Sequence, residues 1–140
     1  EGFKKWCANI DANPALTQAR WVDGELAAAL STAPCHAEFF RYVQWHNLAF
    51  SMARDMAIPT FVFHYEDYRD NFDDTLTGLL NFLELPRVKD GPAFELGKEY
   101  KDFYTEEQRA AVAKLIKELS SLETWNYLQH YFDDPKVSES

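Results

Sequence analysis

The sequence predicts an α/β fold, and three observations predict it. Thr60-Phe61-Val62-Phe63-His64-Tyr65 is a short β-branched and aromatic run without alternation of polar and apolar residues. A run of that kind suits a strand covered on both faces, as in a parallel sheet. The segments on either side of it carry helical periodicity. Third, 140 residues with 46% hydrophobic and 16% aromatic content suit one domain, or a piece of one, with ample apolar surface to bury.

Phe3, Trp6, Cys7 and Ile10 recur at helical spacing, so the chain opens with a helix that Asn13-Pro14 interrupts. Leu16 to Pro34 is ambiguous. Its Ala-rich centre favours helix, while Gly24 and Ser31-Thr32-Ala33-Pro34 mark breaks. From His36 to about Met56, a stripe of Phe39, Val43, His46, Phe50 and Ala53 predicts a long helix, with Phe40 and Met56 beside it. It ends before Ile58-Pro59, because a residue preceding Pro avoids helical angles. The predicted strand follows at 60–65.

Asp70 or Asn71 can cap the next helix, whose apolar face is Phe72, Leu76, Leu79, Leu80 and Leu83, and Pro86 stops it. The connection from Glu84 to Tyr104 is longer than the usual ~12–15-residue limit for structureless loops. Thr105-Glu106-Glu107-Gln108 is a capping box opening a helix that buries Val112, Leu115, Ile116 and Leu119. Ser120-x-x-Glu123 opens a last helix bearing Trp125, Leu128 and Phe132. The expected organisation is one partial domain over 1–132 and a flexible acidic tail over 133–140.

A doubly covered strand needs hydrogen-bonding neighbours, and no second convincing strand is present. The chain is therefore expected to be the later part of an α/β domain, or to dock on a partner that supplies strands. Its first residue, Glu1, fits a processed product or a fragment.

The charge excludes some classes. Fourteen Lys+Arg against 23 Asp+Glu give a formal net charge of −9, which argues against general nucleic-acid binding. No apolar run approaches the ~20 residues of a membrane span, and no N-terminal signal is visible. The two cysteines, Cys7 and Cys35, allow one disulfide or two buried thiols, and both readings stand. His36, His46, His64 and His130 have no metal-ligand spacing, so no metal is expected. Arg41, Arg54 and Arg69 suit surface pairs with nearby carboxylates. Phe39, Phe40, Trp45 and Phe50 read as core, with an acceptor pocket as the alternative. Glu66-Asp67 reads as accepting hydrogen bonds from loop amides or capping the next helix, with an acid/base pair as the alternative.

Phe61-Val62-Phe63-His64-Tyr65-Glu66-Asp67-Tyr68, running into Phe72 to Phe82-Leu83, resembles the sulfotransferase family, in which a strand ends in Tyr-Glu-Asp-Leu/Tyr before a helix closing with Phe-Leu. Phe94 to Gly97-Lys98-Glu99-Tyr100-Lys101-Asp102-Phe103-Tyr104-Thr105-Glu106-Glu107-Gln108 is similar to that family's late Gly/Lys/aromatic loop and Thr-capped helix. The resemblance runs from Tyr42 to Phe132. Trp6-Cys7 and Pro34-Cys35-His36 give it an algal flavour.

It implies that the chain is the mostly helical C-terminal part of a P-loop-like parallel-sheet domain. The family's activity is sulfuryl transfer from 3′-phosphoadenosine 5′-phosphosulfate (PAPS) to a hydroxyl or amine. By the same resemblance, Gly97, Lys98, Tyr100 and Lys101 would contact the 3′-phosphate of PAPS or of its desulfated form, PAP. Gly97 would let the backbone approach, the lysines would supply charge and Tyr100 a hydroxyl. This stretch departs from the family loop in lacking Arg and in carrying Glu99. No Gly-rich phosphate cradle and no general base can be mapped, so these 140 residues alone are expected not to turn over PAPS. The alternative is a non-catalytic structural or interaction subunit of a larger assembly. The family implies the Golgi lumen; the algal flavour offers a plastid membrane complex instead.

Overall fold

The structure, a computed structural model, describes residues 2–13, 24, 28, 32–89 and 101–132. Among these, the regular elements are all helical: α1 (Gly2–Asp11), α2 (His36–Asp55), α3 (Asp67–Asp70), α4 (Phe72–Phe82), α5 (Glu106–Leu119) and α6 (Leu122–Leu128), with 3-10 turns at Lys101–Phe103 and Gln129–Tyr131. The chain divides into two units, Glu1–Met56 with Tyr100–Ser140, and Ala57–Glu99.

The α/β expectation is overturned. Thr60–Tyr65 forms no strand, and no strand occurs among the described residues. The physical reason is the lack of a pairing strand among the described residues. A strand exists only in a ladder, whereas each helix here satisfies its own backbone. High β-propensity measures fit to a pleated, half-covered surface, and no such surface is present among the described residues. Phe61 packs instead on α4. Its ring stacks on Phe82 at 5.7 Å between centroids and lies over Gly78, where an added Cβ would come within 3.0 Å of it.

In the first unit, α2 packs on α5, α6 and α1. Phe40 and Val43 of α2 meet Val112, Leu115, Ile116 and Leu119 of α5 and Leu128 of α6 in one apolar cluster. Thr105 opens α5 as expected: its hydroxyl accepts from the Gln108 N–H, and the Gln108 side chain accepts from the Thr105 N–H. The opening of α6 shifts by one residue from expectation. Ser121, not Ser120, takes the cap position and accepts from the Thr124 N–H at 3.1 Å.

A second cluster joins α1 to the start of α2 through Cys7, Ile10, Cys35 and Ala37. Here the cysteines form a disulfide, which decides between the two readings left open above. Cys35 precedes α2 with φ 62°, a left-handed conformation costly for a residue with a Cβ. Asp11 steadies this corner, one carboxylate oxygen accepting from the Cys35 N–H at 2.7 Å and the other from the Ala37 N–H at 3.0 Å. A side chain from α1 thus satisfies amides at the N-terminus of α2 that have no partner within the helix.

In the second unit, Asn71 occupies the cap position of α4, but its side chain makes no cap bond, and Asp70 binds Arg69 instead. The greater part of the ambiguous stretch Leu16–Pro34 and the whole 133–140 tail lie outside the described residues.

Candidate functional site

Of the four residues expected at a cofactor phosphate, Gly97, Lys98 and Tyr100 lie outside the described residues. Lys101 is exposed and opens the 3-10 turn that leads, through Tyr104, into the capped α5. Its carbonyl accepts from the Tyr104 N–H at 3.1 Å. The four residues are therefore not brought together as a described site.

Glu66-Asp67 follows the conservative reading in part. The Asp67 carboxylate accepts from the His64 N–H at 2.9 Å, while the Asp67 N–H donates to the His64 carbonyl at 3.0 Å. Asp67 thereby closes the turn that starts α3, and that structural task occupies one of its carboxylate oxygens.

Immediately before this turn lies a stretch of open main chain. Among the described residues, no hydrogen bond uses the main chain of Phe61, Val62 or Phe63. Thr60 is occupied locally, its hydroxyl donating to the Ile58 carbonyl at 2.9 Å. The side chains differ in their surroundings. Phe61 turns onto α4, whereas Val62 and Phe63 are exposed, as are Ile58 and Tyr65. The Phe63 ring makes a T-shaped pair with Tyr68 at 5.1 Å between centroids. The segment thus combines free amides and carbonyls with uncovered apolar side chains, two properties that invite backbone pairing with another chain. Residues 57–89 also hold six acidic residues (Glu66, Asp67, Asp70, Asp73, Asp74, Glu84) against three basic ones (Arg69, Arg87, Lys89).

The remaining expected residues take structural places. Arg41 pairs with Glu38 at 2.9 Å, Arg54 with Glu123 at 2.9 Å and Arg69 with Asp70 at 2.6 Å. His36 Nδ1 lies 3.0 Å from the Ala33 carbonyl, and His46 Nδ1 2.8 Å from that of Tyr42. Among the described residues no group of three or more His, Cys, Asp or Glu side chains is placed to hold a metal ion, and no helix is long and apolar enough to cross a membrane.

Phe40 is buried as expected, but Trp45 is 65% exposed and does not join the core. Sequence reasoning also misses Asn47, which sits on the core side of α2 and binds the α5–α6 junction. A polar residue among aromatics at helical spacing is the available signal for it.

Comparison of the chain with protein-family models, with curated proteins and with solved structures finds no match.

Proposed function

We propose that this chain acts as a non-catalytic interaction subunit that docks on a partner protein through the main chain of Phe61–Phe63. One observation carries the reading: Val62 and Phe63 expose apolar side chains, while the amides and carbonyls of Phe61–Phe63 have no hydrogen-bond partner among the described residues. The occupant that fits is an extended apolar segment of a partner with basic residues at its flanks. Its backbone pairs with Phe61–Phe63, its side chains cover Val62 and Phe63, and its charge complements the acidic excess of this unit. Pro59 carries no N–H and bounds the paired stretch on its N-terminal side.

The test is amide hydrogen exchange on the full chain, alone and in any assembly recovered with it from its source. Slow exchange at Phe61–Phe63 in the assembly, against fast exchange in the free chain, is the expected result. Equally fast exchange in both states would end this reading.

A second reading, sulfuryl transfer from PAPS, is supported by the resemblance to sulfotransferases and by the Thr105 capping box standing just after exposed Lys101. Thermal melts of the chain with and without PAP separate the two. A PAP-dependent rise in Tm favours the transfer reading; no rise favours docking.

A further inference from the structure

The face of α2 opposite the core is apolar. Tyr42, Trp45, Leu48 and Met52 are all exposed, as is Met56 just past the helix end, and spacings of three, three and four residues keep the first four on one side of the helix. The core residues Phe40 and Val43 lie on the other side. A helix apolar on both faces is normally covered on both, and Trp and Met are enriched where proteins meet.

We propose that this face is a homodimer interface, in which α2 pairs antiparallel with α2 of a second copy about a two-fold axis near Leu48 and Ala49. The charges on the stripe choose this occupant. Arg41 stands at its N-terminal end and Asp55 at its C-terminal end, with side chains 50% and 68% exposed. Antiparallel pairing brings each Arg41 to Asp55 of the other copy, once at each end. It also sets Trp45 against Met52, and Leu48 against the small Ala49. A two-fold interface requires such self-complementarity, with every contact made twice.

The present partners of the two charges, Glu38 and Arg54, belong to exposed pairs of little energetic weight, so they do not hold the charges back. A lipid surface is the poorer occupant. Membrane-lying helices flank their apolar stripe with Lys and Arg, and this stripe is flanked by one Arg and two acids, in a chain of net charge −9.

Sedimentation equilibrium of the full chain up to about 100 µM tests the proposal, in a range where interfaces of modest area associate. A mass of two chains is expected. Trp45→Glu and Met52→Glu are each expected to weaken the dimer by at least ~10-fold. Arg41→Glu and Asp55→Arg, each juxtaposing like charges twice, are expected to weaken it about tenfold. The double variant R41E/D55R is expected to recover to within about threefold, because the pair is re-formed in reverse. These positions are exposed, and unchanged far-UV circular dichroism confirms that the variants fold. A wild-type chain that stays monomeric overturns the proposal, as does a dimer indifferent to Trp45→Glu. Failure of the double variant to recover overturns the antiparallel pairing. A monomer that floats with phosphatidylcholine–phosphatidylserine vesicles, and loses this with Trp45→Glu, gives the face to lipid and likewise overturns it.

Discussion

Ser121 donates its N–H to Asn47 Oδ1 at 2.9 Å, across 74 positions of sequence. The same carboxamide donates from Nδ2 to the Leu119 carbonyl, also at 2.9 Å. One side chain of α2 thus answers both the end of α5 and the start of α6. A carboxamide has a donor and an acceptor side by side at this reach at any pH.

Replacing Asn47 tests that double role. Asn47→Ala is expected to destabilise the fold by about 1–2 kcal/mol, since two hydrogen bonds go and a half-buried carbonyl loses its partner. Asn47→Asp is expected to cost more at neutral pH. It keeps the acceptor for Ser121 but turns a carboxylate oxygen toward the Leu119 carbonyl. That extra cost should shrink as the pH falls and the new carboxyl protonates, because the protonated form is again a donor. Urea titrations at pH 7 and pH 4 measure both effects. An Asn47→Asp variant as stable as wild type at pH 7 would remove the assigned role.

The junction of α1 and α2 carries a coupled prediction. The Cys7–Cys35 disulfide and the Asp11 bonds to the Cys35 and Ala37 amides hold the same corner. Closing a loop of 28 residues constrains the unfolded chain by roughly 3–4 kcal/mol. In the oxidised protein, Asp11→Ala is expected to cost about 1–2 kcal/mol, the usual weight of a lost cap. With the bridge reduced, α1 is free to leave, and the same substitution is expected to cost less than half as much. Equal costs in oxidising and reducing buffer would show that the two devices act independently.

The features legible in the sequence are those decided by near neighbours. The Thr105–Gln108 capping box is complete within four residues, and α2 declares itself by periodicity and by Pro59. Features that depend on distant partners are not legible. Asn47 and Asp11 are ordinary polar residues until α5, α6 and α2 arrive beside them. Trp45 reads with the core because α2 is apolar on two faces, and periodicity alone cannot say which face is covered. Thr60–Tyr65 has strand composition, but composition fixes what a segment suits and leaves open whether a neighbour exists to pair with it. The cofactor expectation rests on Gly97, Lys98, Tyr100 and Lys101, of which only Lys101 falls among the described residues.

Gly78 faces the Phe61 ring, and an added Cβ would sit 3.0 Å from Cζ and 3.3 Å from Cε2. Ala is intrinsically better than Gly inside a helix by about 1 kcal/mol. In wild type, displacement of the Phe61 ring is expected to cancel most of that gain. In a Phe61→Ala background the ring is gone, and Gly78→Ala is expected to stabilise by nearly the full amount. The difference between backgrounds is the coupling energy of the two positions, read from chemical denaturation. The same gain in both backgrounds would mean that Phe61 does not lie on Gly78 in solution.

Tyr104 gives the first unit a pH dependence on the alkaline side. It is half-buried, with its ring 5.9 Å from Phe3 and 6.3 Å from Phe39. Burial, and then the negative charge of Asp11, push its phenol above the ordinary tyrosine value. Between the ordinary value of about 10 and the raised one, the native state keeps a proton that the unfolded chain has released. The contribution is fully present below pH ~10 and is lost as the pH rises through the native value. Wild type is therefore expected to lose Tm faster than Tyr104→Phe as the pH rises above about 10, with the other tyrosines common to both chains. Asp11→Asn is expected to make the slope attributable to Tyr104 shallower, because it removes the neighbouring negative charge while burial remains. Parallel Tm curves for wild type and Tyr104→Phe would show that Tyr104 titrates alike in the folded and unfolded chains, and would place its ring in water rather than against Phe3 and Phe39.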